Sequence, residues 1–480
     1  MSEEPKKLSF KLALLPILFM IATLVVGVIV LDLPIEIPLL VSAFFTGLMA
    51  MWLGRSYQDI ENEVVLKISK ILPALFIILS VGLLVASWIT SGTVPYLVYL
   101  GLSIIRPQFL PILAFLLCAA IGMGTGSSWA AAGTVGTALM AIARGMDFPV
   151  AIVAGAIVSG AYTGDTLSPL GGEPALVAAS SNVTMTDHLK HAYKTGGIGF
   201  IICLIFYTLI GFVYGRGKLV DSGYVEEIIK VLGSIYHFDP LNIILVLLPL
   251  VVAMVGMVKG KPTVAVMLIS TVIASLVSVL TQGFAAKTVA NSLISGFKID
   301  YLVDVGVKPA AISDNIATLL EVGGLSSMMN IIQVSFCAFA FVGTLNMTGA
   351  LDIILERITK IIKSTGQLIL TTAVSGVLSI AISGSNTICF VLLGDIFQKE
   401  YVRKGLKKTN LSRTLQDSIT AIEAIVPWSL AGIFMSGTLQ VPVLKYLPWT
   451  LFAYVPLILT IVYGFTGIGI AKEDPSLVAD

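Results

Sequence analysis

Two acidic residues stand where apolar sequence is interrupted by helix-breaking residues. Asp165 lies in Gly160-Ala-Tyr162-Thr163-Gly164-Asp165-Thr166-Leu-Ser168-Pro169, and Glu423 in Thr420-Ala-Ile-Glu423-Ala-Ile-Val-Pro427. An ionisable group inside an apolar segment costs a few kcal/mol to insert into a membrane and marks an ion or substrate path. Proline removes its own N–H and excludes the carbonyl four residues earlier. Pro169 is therefore expected to free the Asp165 carbonyl, and Pro427 that of Glu423, so that each break presents a carboxylate beside a bare carbonyl. Burial favours a protonated carboxyl and a bound cation favours the ionised form. One such group can hold a proton or a sodium ion in turn, and that competition is the minimal chemistry of exchange.

Neutral oxygens cluster in two further segments, Gly122-Met-Gly124-Thr125-Gly126-Ser127-Ser128 and Ser383-Gly384-Ser385-Asn386-Thr387. Alternating glycines disfavour a straight helix, and irregular backbone at membrane depth is tolerated only where protein or a water-filled cavity shields it. Hydroxyls, amide oxygens and freed carbonyls are hard ligands suited to an alkali cation. The expected cation or substrate site comprises Thr125, Ser127, Ser128, Thr163, Asp165, Ser168, Ser385, Asn386, Thr387 and Glu423, with Asp165, Ser128, Asn386 and Thr387 as ligands of the ion. The glycines also fit a second reading, a small-residue seam between packed helices.

Other polar residues receive plainer assignments. Asp395 and Asp417 flank a basic loop and are expected as solvated partners of Lys399 and Arg413. His188, His191 and His237 lie in polar connections and are expected at the surface. Trp52, Trp88 and Trp449 sit near the ends of apolar runs, as in an interfacial belt. Asn346 is expected to hydrogen-bond between helices, and Glu173 either charges the site or faces water. Cys118, Cys203, Cys337 and Cys389 are far apart, without metal or redox spacing. No phosphate-binding loop, His-Glu-x-x-His or Ser-His-Asp spacing occurs, so neither an enzyme nor a cofactor is expected.

The elements that must position these residues follow from composition. The 480-residue chain is 56% hydrophobic and only 12% charged, against about 25% charged in soluble domains. Lys plus Arg (29) balances Asp plus Glu (28), which gives no field to steer nucleic acid. Runs able to cross a hydrocarbon layer of about 30 Å fall near 12–31, 37–53, 71–89, 109–121, 198–214, 241–258, 263–281, 329–347, 367–382 and 447–465. The segments 55–70, 186–195, 218–238 and 285–325 read as connections, with 300–325 an amphipathic surface helix or a short ordered loop. The first run lacks a small-residue cleavage site and reads as a retained helix. One membrane domain over 1–480 is expected, in lipid. Lys6, Lys7 and Lys11 place its N-terminus in the cytoplasm.

The chain also resembles itself. Aligning Gly126-Ser-Ser with Gly384-Ser-Asn sets an offset of 258 residues that also carries Asp165 onto Glu423 and Pro169 onto Pro427. The loop 141–147 is weakly basic and 399–408 strongly basic, so a common positive-inside rule puts them on opposite sides. The expectation is an all-α polytopic membrane protein made of two inverted repeats, 1–230 and 240–480, with re-entrant hairpins and discontinuous transmembrane helices, a build shared by many secondary transporters.

At Gly124-Thr-Gly-Ser-Ser-Trp-Ala-Ala-Ala-Gly-Thr-Val-Gly, Gly164-Asp-Thr-Leu-Ser-Pro-Leu170, Asn410-Leu-Ser-Arg-Thr-Leu-Gln-Asp-Ser418, Pro427-Trp428 and Ser436-Gly-Thr438 the sequence resembles the NhaC family of sodium/proton antiporters in the ion transporter superfamily. Ser385-Asn386-Thr387 resembles the sodium-binding hairpin tip of related dicarboxylate/sodium symporters. The resemblance implies exchange of Na+ for H+ by alternating access in a bacterial inner membrane, and relatives often form homodimers. Thr166 stands where the family motif has lysine, and Gly171-Gly-Glu-Pro-Ala175 replaces an oxygen-rich stretch. These departures leave room for the alternative of a sodium- or proton-coupled carrier of a small organic acid or amino acid. On the exchange reading Asp165→Asn is expected to abolish sodium-driven proton movement while leaving membrane insertion intact, checked by vesicle pH assays beside the amount of protein in the membrane fraction.

Overall fold

In lipid, backbone N–H and C=O groups must pair within their own segment, which forces long apolar runs into helices. The computed structural model describes residues 8–215, 222–313, 316–317, 320–359 and 362–473. Among the described residues, eight helices are long and apolar enough to span a membrane, and Glu36–Trp52, Val150–Thr166 and Leu451–Thr466 are shorter apolar helices. Leu430–Leu439 and Val443–Trp449 form a pair bent by 85°. Each expected run falls on helix, and no strand occurs among the described residues. Phe44, Leu209, Val213, Ile244 and Leu280 point outward, an apolar surface too extensive for water. The chain is an all-α, multi-pass membrane protein.

The helices that frame the candidate residues are α1 (Tyr57–Thr90), α2 (Leu110–Thr125), α3 (Val150–Thr166), α4 (Gly172–Ser180), α5 (Met185–Gly215), α6 (Leu325–Thr348), α7 (Thr365–Ser383), α8 (Asn386–Arg403), α9 (Lys408–Glu423), α10 (Leu430–Leu439) and α11 (Leu451–Thr466). The stretches 55–70 and 186–195, expected as connections, are instead the first turns of α1 and α5. Their polar residues lie along helices that extend past the apolar run, and Ser56 with Asp59 forms a capping box at the start of α1. Residues 218–238 hold a helix at Ser222–Ile235, and 300–325 holds short 3₁₀ turns, Ile299–Val305 and Pro309–Ala311. Lys6 and Lys7, which carried much of the orientation argument, lie outside the described residues.

Several polar residues were assigned to the wrong environment. His188 and His191 are buried, as are Trp88, Arg413 and Asp417. Trp88 donates its indole N–H to Ser270 Oγ at 3.0 Å rather than lying at an interface. Arg413 is 0% exposed; its Nε donates to Thr460 Oγ1 at 3.2 Å and its Nη1 to the Gly469 carbonyl at 3.1 Å. Asp417 lies one turn along α9 from Arg413. The two opposite charges lie within electrostatic range of each other, and each has further polar neighbours, which is what makes burial of opposite charges tolerable. Asn346 does bond between helices, from α6 to Glu63 on α1 at 2.7 Å. The four cysteines are free, with Cys118, Cys203 and Cys389 buried.

The crossing of α2 over α3 is a glycine seam. A Cβ on Gly160 would lie 2.2 Å from the Phe115 carbonyl oxygen, and one on Gly164 2.3 Å from that of Ala119. Gly122 faces back, with the Ala161 oxygen 2.7 Å from its would-be Cβ. Gly122 and Gly124 therefore lie inside α2, contrary to the expectation of irregular backbone there, and the helix breaks only at Gly126. Close backbone approach of this kind is how helices pack where lipid supplies no hydrophobic drive. Gly164→Ala is expected to lower the thermal midpoint in detergent, by overpacking worth roughly 1–3 kcal/mol. Gly124→Ala, with nothing within 4 Å of the new atom, is expected to be neutral or stabilising.

Candidate functional site

Both glycine breaks have the same local geometry. Gly126 is left-handed at φ 66° and its N–H bonds the Gly122 carbonyl; Gly384 is left-handed at φ 64° and its N–H bonds the Ile380 carbonyl. Ser127 (φ −147°, ψ 113°) and Ser385 (φ −141°, ψ 120°) then extend the chain, and a new helix begins at Ser128 or at Asn386. Ser127 caps its helix by accepting from the Ala130 N–H at 3.2 Å. The extended residue interrupts the helical ladder, so each new helix starts with N–H groups that have no partner in their own helix.

Those N–H groups meet the acidic residues. Asp165, in the last turn of α3, accepts on Oδ2 from the Ser128 backbone N–H at 3.1 Å and from Ser128 Oγ at 2.9 Å. Glu423, the last residue of α9, faces the backbone N–H groups of Asn386 and Ala431. A helix N-terminus is a ready anion site, and each half of the chain fills it with its own carboxylate. Asp165 is 3% and Glu423 2% exposed. Asp165 Oδ1 is buried and has no hydrogen-bond partner among the described residues.

Both carboxylates open on one cavity of about 360 Å³, lined also by Ser127, Ser128, Trp129, Glu173, Ser385, Asn386 and Thr387. Seven of the expected residues thus converge: Ser127, Ser128, Asp165, Ser385, Asn386, Thr387 and Glu423. Thr125, Thr163 and Ser168 do not line it. The Thr125 and Thr163 hydroxyls donate to the carbonyls of Ile121 (2.8 Å) and Ser159 (2.6 Å), because a hydroxyl on an apolar helix satisfies itself on the preceding turn, and that of Ser168 donates across to the Met123 carbonyl of α2 (2.7 Å). The two carbonyls expected to be bare are not. The Asp165 carbonyl accepts from the Ser168 N–H at 3.1 Å and that of Glu423 from the Val426 N–H at 3.2 Å, with the Ser429 hydroxyl donating as well. Proline frees each from the helix, and the turn that follows recaptures it.

Glu173, left open above, lines the cavity from the first turn of α4; its Oε1 accepts from Asn386 Nδ2 at 2.8 Å. The Gly-Glu-Pro pattern of a helix start could have signalled it. The three carboxylates share a cavity without sharing a coordination shell, since no three His, Cys, Asp or Glu among the described residues sit close enough to hold one metal ion. Sequence reasoning gave no role to Tyr162, a buried phenol within electrostatic range of all three acids, or to Phe434, whose ring stacks on Trp129 at 4.2 Å. Nothing in local sequence marked either contact.

Behind the site, His188 Nδ1 lies 3.0 Å from Ser412 Oγ, and its Nε2 bonds Gln416 Oε1. Gln416 Nε2 donates to the Thr166 carbonyl at 3.1 Å, so α9 holds the end of α3.

Helices broken inside a polytopic bundle, with buried carboxylates at the breaks, define the class of membrane ion transporters. The Na+/H+ antiporter family matches residues 160–468. Similar proteins include an uncharacterized Na+/H+ antiporter of Haemophilus influenzae, 38% identical over 95% of this chain and 96% of its own length. A malate-2H+/Na+-lactate antiporter of Bacillus subtilis is 33% identical over 91% of this chain and 90% of its own. The Na+/H+ antiporter NhaC of Alkalihalophilus pseudofirmus is 30% identical over 98% of each. The chain belongs to the Na+/H+ antiporter family.

Ser128→Ala removes one of two hydrogen bonds to Asp165 and keeps the backbone donor. A hydrogen bond to a charged group contributes about 1.5–3 kcal/mol, so the sodium concentration for half-maximal exchange is expected to rise about tenfold or more, measured by sodium titration in sealed vesicles.

Proposed function

We propose that this protein exchanges Na+ for H+ by alternating access, with Asp165 as the group that both ions share. The observation that carries this reading is Asp165 Oδ1, buried, unpartnered among the described residues and on a residue that lines the shared cavity. Oδ2 is already held by Ser128, which fixes the carboxylate in place. A proton on Oδ1 discharges the group; a sodium ion there, completed by neutral oxygens from Ser128, Asn386 and Thr387, does the same without the proton. Both cannot bind well together, and that exclusion couples the two fluxes. Glu423 supplies the matching charge from the second half of the chain. We read the halves as inverted copies in a bacterial inner membrane, with the N-terminus in the cytoplasm.

The alternative, a coupled carrier of an organic acid, needs a helix N-terminus free to receive a substrate carboxylate. The N-termini at Ser128 and Asn386 face Asp165 and Glu423 instead, and none of the residues lining the cavity is Lys or Arg. Like charges in a site of low polarity repel strongly, so the geometry favours a cation as cargo.

The test is purified protein in sealed vesicles with a pH-sensitive dye, given sodium chloride and no organic solute. Prompt alkalinisation of the compartment losing protons is expected. Silence that ends only when a carboxylate metabolite or amino acid is added would overturn the reading.

A further inference from the structure

Ser128 and Asn386 take matching places at the two glycine breaks, and each directs its backbone N–H at the acid of its own half. Their side chains are committed differently. The Ser128 hydroxyl also binds Asp165, at 2.9 Å, whereas the Asn386 amide is bonded to Glu173, its Nδ2 donating to Glu173 Oε1 at 2.8 Å. An amide nitrogen only donates, and Oε1 can accept whether or not Oε2 carries a proton, so the contact does not depend on Glu173 being charged. With the nitrogen committed, the amide oxygen is the end left for a cation. Its partner among the described residues is the Thr387 hydroxyl, which donates to it at 3.2 Å. A flipped amide would set oxygen against oxygen at Glu173.

Glu173 is itself held in place. It lies in the first turn of α4, and α4 runs alongside α8 from Asn386 outward. A Cβ on Gly394 of α8 would lie 2.4 Å from the Ser180 carbonyl oxygen, so the two backbones are in close contact. Past the end of α4, Asn182 Nδ2 donates to Gln398 Oε1 at 3.1 Å. The pairings keep a nearly constant separation in sequence, 213 residues at Glu173 and 216 at Asn182, so the two helices run parallel. Between Asp165 and α4 the chain makes a tight turn, with the Ser168 N–H on the Asp165 carbonyl and the Gly171 N–H on the Ser168 carbonyl. Glu173 thus ties the break that carries Asp165 to an amide of the other half. At the offset that carries Asp165 onto Glu423, Glu173 falls on Ala431, which has no side-chain acceptor to play the same part for Ser128.

We propose that Glu173 is a positioning residue for sodium: by holding the nitrogen of the Asn386 amide, it presents the amide oxygen to the cation. The proposal rests on the exchange reading in taking sodium as that cation and Asn386 as one of its ligands. An outer partner that orients a ligand is worth roughly 10–100-fold in metal affinity. Glu173 acts only through Asn386, so once the amide is gone there is nothing for it to hold.

The test is a double-mutant cycle on the full-length protein in nanodiscs, with the thermal midpoint followed as sodium chloride replaces choline chloride at constant ionic strength. Glu173→Ala and Asn386→Ala are each expected to raise the sodium concentration for half-maximal stabilisation about tenfold. The double variant is expected to be no worse than Asn386→Ala alone, because effects that pass through one contact do not add. Glu173→Gln keeps an acceptor oxygen and is expected to recover most of the affinity that Glu173→Ala loses. In sealed vesicles the loss in Glu173→Ala is expected in the half-saturating sodium concentration and not in the rate at saturating sodium. If Glu173→Ala does not fold, Glu173→Met, which keeps the length of the side chain without its carboxyl, takes its place in the cycle. The proposal is overturned if removing the carboxyl leaves sodium affinity unchanged, if Glu173→Gln is as weak as Glu173→Ala, or if the two losses add in the double variant. Failure of the exchange reading would show separately, as sodium that stabilises the wild type in nanodiscs while the pH dye in vesicles stays silent.

Discussion

The architecture depends on one contact made twice: a helix that starts inside the protein points its first N–H groups at a carboxylate from a neighbouring broken helix. Ser128 does this for Asp165 and Asn386 for Glu423. Each partner removes the other's liability. An unpaired N–H buried away from water costs free energy comparable to a lost hydrogen bond, and a carboxylate in apolar surroundings is worse. Together they make a stable arrangement with one carboxylate oxygen of Asp165 left over. Chemistry at the site is what that leftover oxygen can do.

Everything nearby serves to hold this contact in register. The left-handed glycines at 126 and 384 stop one helix and allow the next to begin within two residues. The seam of Gly160, Gly164 and Gly122 draws α2 and α3 together so that the helix start at Ser128, just past the end of α2, reaches Asp165 at the end of α3. On the far side, Arg413 with Asp417 and His188 with Gln416 fill what would otherwise be an apolar interface around α9. Polar pairing there gives a specific orientation that hydrophobic packing alone leaves loose, and the end of α3 inherits that orientation through the Thr166 carbonyl.

Much of this could be read from the chain itself, because membrane sequences announce their helices by length and their breaks by glycine and proline. The pairing of Gly126 with Gly384, and of Asp165 with Glu423, was visible as a fixed offset, and both local geometries agree with it. What could not be read was partnership. Thr125, Thr163 and Ser168 have the same chemistry as Ser128 but point along their own helices or at a neighbour's carbonyl, a choice made by side-chain direction and not by residue type. His188, His191 and Asp417 were read as wet because polar residues between apolar runs usually are. Here those runs continue as helix, and the polar face is covered by another helix from the opposite half of the chain. Trp88 failed for the related reason that an indole N–H finds a buried hydroxyl as readily as an interface. The Asn386 contact with Glu173 spans residues far apart in sequence, and local pattern carries no trace of it.

The Gln416 amide has a consequence for the ring beside it. Its nitrogen is committed to the Thr166 carbonyl, so its oxygen must face His188 Nε2, and that nitrogen must carry a hydrogen. A flipped amide would set oxygen against carbonyl at one end and donor against donor at the other. At Nδ1 the situation is reversed, because the Ser412 hydroxyl lies 3.0 Å from the ring and 3.1 Å from the Thr409 carbonyl. Its single hydrogen can point to the ring, as a neutral imidazole with hydrogen on Nε2 requires, or to the Thr409 carbonyl, which leaves the Ser412 oxygen able to accept from an Nδ1–H. One side of this histidine is therefore locked and the other is a swivel: rotation of one hydroxyl changes what Nδ1 meets from a donor to an acceptor, with every heavy atom left in place.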